Sequence, residues 1–287
     1  MSLAEFVASA PLTPLLKPDG GIHPIVVGTI WRRLVSKVAM KGVGKDMTKY
    51  LNDFQFSVGV SGGAGAILHS VNRLLNLRHE DGSWTMLIVD FSNAFNLVDR
   101  LALLREVRLR CPSISLWFEF LYGQAARLYL GDGHIMSATR VQQGDTLGPL
   151  LFALVLHPLI HQVRDSCKLL LHAWYLDDRT LVGDLEEVAK ALDIIRVVGP
   201  ELNIRKTEIF WPSCDGNKHH GGLFPAEIGR LTLGVKLLGG AVSRDKGFIE
   251  GLTMKRVSRA VELMHLLPQL RDPQSELLLL RSCMGIA

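Results

Sequence analysis

The sequence predicts an α+β fold, and three patterns carry that prediction. Short apolar runs of strand length recur, such as the one that ends at Asp90 and the one from Leu169 to Tyr175. Between them lie longer stretches whose apolar residues repeat at helical spacing. Glycine- and proline-bearing turn signals separate the two kinds of segment.

Taken in order, Pro11 to Gly21 is extended and then turns, because its prolines and glycines exclude a regular helix. Ile30 to Val43 places Ile30, Leu34 and Val38 on one helical face and Arg32, Arg33, Lys37 and Lys41 on another. Gly59 to Gly65 is a connection, followed by a helix from Ala66 to Leu77. That connection lacks the Gly-Lys-Ser/Thr ending of a phosphate loop. Trp84 to Val89 reads as a buried strand closed by Asp90. Arg100 to Arg110 and Ile114 to Leu121 are helical, and Gly131-Asp-Gly133 joins Leu128–Leu130 to His134–Thr139 as a hairpin. A mostly apolar helix runs from Leu147 to Val163. Strands at Leu169–Tyr175 and Thr180–Val182 flank Asp177-Asp178. A helix from Glu186 to Val197 stops at Gly199-Pro200, and Ile204–Trp211 and Leu233–Leu238 are further strands. The tail is helical over Ile249–Leu267 and Gln274–Met284.

The bulk numbers exclude several classes. With 287 residues, about half of them apolar and about a fifth charged, the chain can bury its own core and is not a disordered segment. A net charge of +4 suits a nucleic-acid or nucleotide partner without identifying one. Cys111, Cys167, Cys214 and Cys283 are scattered, as in reduced intracellular proteins. Cys214 with His219 and His220 reads as a polar loop rather than a zinc site, which wants four ligands. The run Leu147–Ile160 is shorter than the ~20 residues of a membrane span, and no signal peptide opens the chain. An intracellular protein, nuclear or cytoplasmic, is expected.

The acids stand out chemically. Asp90 ends an apolar strand, and Asp177 and Asp178 lie between two others. Carboxylates gathered against apolar strands repel one another unless a cation neutralises them, and magnesium is the expected ion. Two such ions ~4 Å apart organise an in-line displacement at phosphorus. The same residues also admit plainer readings: a solvated hairpin tip for Asp177-Asp178, and a helix N-cap for Asp90.

The order of the motifs adds a resemblance. Asp90-Phe-Ser-Asn-Ala-Phe95, Gln143-Gly-Asp-Thr-Leu-Gly-Pro149 and Tyr175-Leu-Asp-Asp178 resemble motifs A, B and C of reverse transcriptases, most of all those of non-LTR (LINE-type) retrotransposons. Lys17–Ile25 resembles the fingers motif of that family, Leu202–Glu208 its motif D, and Gly234–Gly239 its motif E. The resemblance implies a right-hand polymerase palm, an antiparallel sheet backed by helices, with fingers and a partial thumb. It divides the chain into fingers at 1–80, a palm with an inserted helical part at 81–242, and the start of a thumb at 243–287.

It further implies RNA-directed DNA polymerase activity with two Mg2+ ions, or Mn2+ in their place. The partners implied are an RNA or DNA template with its primer, and a deoxynucleotide; no membrane is involved. Asp90 and Asp177 would ligate the metals with Asp178 assisting, and Phe91 would offer a backbone carbonyl. Phe95 would exclude a 2′-hydroxyl, Gln143 and Gly144 would lie against the nucleotide, and Lys206 would approach the pyrophosphate. Arg32, Arg33 and Lys37 would meet nucleic-acid phosphates.

Two positions depart from the family pattern. His23 stands where an arginine is usual, and is expected to serve the nucleotide less well than a permanent forked charge. Arg179 stands where glycine is frequent, and is expected to strain a turn needing positive φ or to compete for the carboxylates. With the short thumb, these departures also fit a fragment of a larger element product, or an impaired remnant that only binds nucleic acid. A magnesium phosphotransferase or hydrolase of another kind is disfavoured by the ordered motifs.

Overall fold

A computed structural model describes residues 2–16, 20–51, 53–92, 99–138, 141–142, 144–176, 178–212 and 222–283, with the side chains of His23, Ser282 and Cys283 left aside. Helices are α1 (Leu3–Ala8), α2 (Ile30–Tyr50), α3 (Gly63–Arg78), α4 (Arg100–Arg110), α5 (Pro112–Tyr122), α6 (Gly148–Ser166), α7 (Leu185–Val198), α8 (Lys246–Leu266) and α9 (Pro273–Cys283). The strands are β1 (Ala10–Leu16), β2 (Ile22–Val26), β3 (Trp84–Val89), β4 (Ala126–Leu130), β5 (Gly133–Ser137), β6 (Leu169–Tyr175), β7 (Asp178–Asp184), β8 (Glu208–Phe210), β9 (Gly229–Leu231), β10 (Gly234–Leu237) and β11 (Gly240–Ser243). The expected alternation of strands and helices is therefore present.

A five-stranded sheet in the order β6-β7-β3-β8-β9 forms the centre. It is antiparallel except for its last pair, β8–β9. Strand alternation sends Leu87, Val89, Leu181 and Ile209 to one face, where they pack on apolar residues of α2 and α4 to α7. Met86, Ala173, Val182 and Phe210 take the other face, against Ile67, Val71 and Leu75 of α3 and Val235, Leu237 and Val242 of the β10–β11 hairpin. Burial on both faces explains why β3 reads as an unbroken apolar run.

A second sheet, β2-β1-β4-β5, joins remote parts of the chain, with β1 parallel to β4 and the other pairs antiparallel. Its β1 was expected to be merely extended. Its prolines are tolerated because Pro14 faces Pro24, and beyond Ala10 and Pro11 the strand has no β4 partner to supply with N–H groups.

Helix α2 holds the larger surprise. Its greasy residues face outward, with Ile30 82% and Trp31 75% exposed and Leu34 and Val38 also open. Arg32 is instead 1% exposed and points into the core beside Ser36, Val43 and Met47. The helix forms as predicted, but its apolar Ile30, Leu34 and Val38 and its basic Arg33, Lys37 and Lys41 are all exposed, and at its start a charged residue is the buried one.

Candidate active site

The register of β3 against β7 builds the site. The ladder ends where Val89 faces Arg179, and Asp90 and Asp178 are the next residues of their two segments. Strand alternation sends the Asp178 side chain to the face opposite Arg179, and carried one residue past β3 it sends Asp90 to the face opposite Val89. Asp178 is exposed and Asp90 half-buried. Tyr175 pairs with Asp178, so the β6–β7 connection is a two-residue turn, and Leu176 within it has a φ of 55°. Asp177, the second residue of that turn, lies outside the described residues.

The turn is held from a distant part of the chain. The Phe54 carbonyl accepts from the Trp174 N–H at 2.7 Å, and the Trp174 carbonyl accepts from Phe56 at 2.8 Å. Gln55, 3% exposed, uses its Oε1 to accept from the Leu176 N–H at 3.4 Å and the Ser57 hydroxyl at 2.7 Å.

Asp90 is tied to the segment that bears Lys206. The Asp90 carbonyl accepts from Asn203 N–H at 2.9 Å, and Glu201 accepts from Ser92 N–H at 2.8 Å. Phe91 bridges Leu202 between these bonds, so its own carbonyl points away from that segment and toward the β7 side. A single 3-10 turn, Ile204–Lys206, then presents Lys206 to solvent, while the buried Thr207 hydroxyl accepts from the Asp90 N–H at 3.4 Å. Asp90, Asp178 and Lys206 are thus grouped at one end of the sheet.

Arg179 behaves differently from the expectation. The positive φ of the turn belongs to Leu176, and Arg179 has none. Its side chain takes the face opposite Asp178 and is fully buried, with its guanidinium 3.2 Å from the Phe91 ring centroid and 5.3 Å from that of Trp174. Its Nη1 donates to the Val89 carbonyl at 3.3 Å. Neither strain at residue 179 nor placement on the acid face follows.

Arg32 must also be corrected. Its guanidinium donates to Asp145 at 2.7 Å, to the Tyr122 hydroxyl at 3.0 Å, to the Ala8 carbonyl at 3.0 Å and to Gln142 Oε1. A cation so enclosed meets no external phosphate; Arg33 and Lys37, on the solvent side of α2, remain exposed. Burial, then the neighbouring Asp145 carboxylate, pushes the Tyr122 hydroxyl far above its ordinary pKa, so it stays a donor. Asp145, Tyr122, Gln142 and Gln55 carried no role in the sequence reading. Only Asp145 had a signal, its place inside the Gln143–Pro149 block.

Gly144 has a φ of 98°, and a Cβ there would stand 2.8 Å from the Val26 carbonyl. The close approach that demands glycine is thus to β2. His23 pairs through its backbone with Leu15. The side chain of His23, and Phe95, Gln143, Cys214, His219 and His220, lie outside the description.

Two oxygen-donor carboxylates on one open face fit a hard ion such as Mg2+ that is completed by substrate phosphates. Among the described residues no group of three or more His, Cys, Asp or Glu side chains could hold a metal ion alone. Also among them, no helix is long and apolar enough to cross a membrane.

Comparison with known proteins finds one family model that matches most of the chain. Residues 15–236 match the model described as reverse transcriptase (RNA-dependent DNA polymerase). The retrotransposable element SLACS 132 kDa protein of Trypanosoma brucei gambiense is 29% identical over 220 residues, which cover 73% of this chain and 18% of that protein. The chain therefore spans about a fifth of that relative's length. Telomerase from Candida albicans, solved with a fragment of telomeric RNA, superposes with a TM-score of 0.58 at 13% identity, covering 82% of this chain and 44% of that one. The RNA-dependent RNA polymerase of a human picorbirnavirus, as an insertion-loop deletion mutant, gives 0.50 at 13% identity, covering 70% and 42%. These likenesses show a polymerase palm-type fold.

Proposed function

This chain belongs to the reverse transcriptase (RNA-dependent DNA polymerase) family and resembles its LINE-type members, and on that premise we propose that it extends a primer with deoxynucleotides copied from a nucleic-acid template. The β3–β7 register supports the proposal, because it lays side by side the strand ends next to which Asp90 and Asp178 stand. Asp90, Asp177 and Asp178 would hold two magnesium ions, or manganese, which supply charge neutralisation at the phosphates and acidify the primer 3′-hydroxyl.

The chain's own groups do the rest. Phe91 offers the carbonyl that its pairing with Leu202 leaves turned toward the β7 side. Lys206, exposed on a turn pinned to the Asp90 backbone, meets the negative charge that builds on the departing pyrophosphate. Gly144 places its loop against the nucleotide with Gln143, His23 faces the triphosphate, and Phe95 crowds the 2′ position. Arg33 and Lys37 meet template or primer phosphates. The division into fingers (1–80), palm (81–242) and early thumb (243–287) belongs to the same reading. Arg179 weighs less against activity than its position in the motif suggests, since its side chain lies on the other face of the sheet.

Primer extension on RNA and DNA templates with purified protein tests this. Incorporation should require a divalent ion and vanish in Asp178→Ala and Asp90→Ala. Incorporation that survives both substitutions would falsify the assigned site. His23→Arg should lower the nucleotide KM several-fold if residue 23 faces the triphosphate.

A further inference from the structure

Gln142 and the segment Gly144–Gly148 are held by groups that are themselves out of reach of any substrate. Tyr122, 2% exposed, accepts from the Gln142 N–H at 3.3 Å and donates to Asp145 Oδ2 at 2.7 Å. The same oxygen takes the Arg32 Nη2 bond, while Asp145 Oδ1 accepts from the Leu147 N–H at 3.0 Å. The Ala8 carbonyl, in a segment ahead of the family match, accepts from both Arg32 Nη1 at 3.0 Å and Gln142 Nε2 at 2.9 Å. Gly28 leaves room for the arginine, since a Cβ there would stand 2.7 Å from Arg32 Cδ.

Burying an ion pair costs desolvation that apolar residues of similar volume would avoid, so stability alone gives little reason for this assembly. What a fork of charged donors provides is a fixed geometry. We propose that Arg32 and Tyr122 are positioning residues for the nucleotide site. Through Asp145 and Gln142 they set where the loop stands against β2, and so how tightly an incoming deoxynucleotide is held. The inference rests on the polymerase reading above for its substrate.

Tyr122→Phe removes only the hydroxyl and keeps the ring, which packs on Phe118 at 4.8 Å and lies 5.3 Å from the Arg32 and Arg100 guanidinium carbons. Arg32→Lys keeps the charge and loses the fork. With the full chain and one deoxynucleotide varied, Tyr122→Phe should raise the nucleotide KM about tenfold, as expected for a lost bond to a charged group. Arg32→Lys should raise it further. Primer–template Kd and kcat at saturating nucleotide should stay within about twofold of wild type in Tyr122→Phe, with Leu192→Ala, buried on α7 away from Tyr122, as a destabilised control whose nucleotide KM does not move. Hydrogen exchange reads the loop without reference to activity: the Leu147 and Gly148 amides should exchange about tenfold faster in Tyr122→Phe. Unchanged exchange, or a nucleotide KM that follows melting temperature in all three variants, overturns the positioning role. A wild-type chain that extends no primer removes the polymerase reading, and with it the nucleotide half of this inference.

Discussion

Two segments near the proposed site are fixed by opposite means. The turn at Leu176 is held by backbone hydrogen bonds to β7 and to residues 54–56, and its carboxylate at Asp178 stays exposed. The loop at 142–148 is held by side-chain charge, through a pair whose side chains are 2% and 1% exposed. The first arrangement leaves an acidic side chain exposed to solvent; the second encloses its charges. An ionic group can thus belong to the same site as reagent or as scaffold, and burial tells which.

Substitutions should separate the two. Removing Asp178 deletes a solvent-facing charge, so Asp178→Ala should cost at least about a hundredfold in incorporation rate. Its melting temperature should stay within about 2 °C of wild type. Breaking the other segment should do the reverse in kind. Asp145→Ala leaves Arg32 buried and unpaired, and should lower unfolding free energy by about 3–5 kcal/mol in urea titration. The double variant Arg32→Met, Asp145→Leu should recover much of that loss, because no charge is then stranded. A double variant no more stable than Asp145→Ala alone would show that the pair contributes more than its own neutralisation.

Arg179→Gly restores the residue frequent in related sequences, yet here it removes a buried side chain from between Phe91 and Trp174. It should destabilise by about 3 kcal/mol and should not raise activity. A gain in rate would place Arg179 on the acid side after all.

A pH dependence comes from three histidines, His157 and His161 on α6 and His172 on β6. Burial lowers the pKa of His157 to about 4 and of His172 to about 3, and the neighbouring His161 is lowered as well. Each is neutral in the folded protein and takes up a proton on unfolding once pH falls below the ordinary histidine value near 6.5. Stability is therefore full above about pH 6.5 and declines as pH falls toward 4 and then 3, by about 1.4 kcal/mol per pH unit for each group titrating. Replacing His172 with Gln should flatten that slope in melting curves taken from pH 7 to 4.

Much of this was readable in the sequence. The strand ending at Asp90 and the hairpin around residues 176–177 follow from local apolar runs, and the ordered motifs pointed to the same acids. The facing of α2 was not readable, because periodicity says that two faces differ and not which one is inward. That choice depends on Asp145, which lies 113 residues away. The pairing of β1 with β4 was hidden likewise, since proline excludes helix locally while a remote partner decides strand. For Arg179, the motif gave the position and the strand's alternation gave the side, and only the latter bears on the carboxylates.

The distance between Arg32 and Asp145 also has a bearing on biosynthesis. As the chain leaves the ribosome, Arg32 appears long before the carboxylate that neutralises it, and β1 long before β4. A nascent chain that has not yet reached Asp145 cannot bury that guanidinium without leaving a bare charge in an apolar setting. The start of α2 should therefore stay loosely packed until the segment around Asp145 arrives. Any two-piece version of the protein should be divided downstream of residue 148, so that the amino-terminal piece carries its own counter-ion.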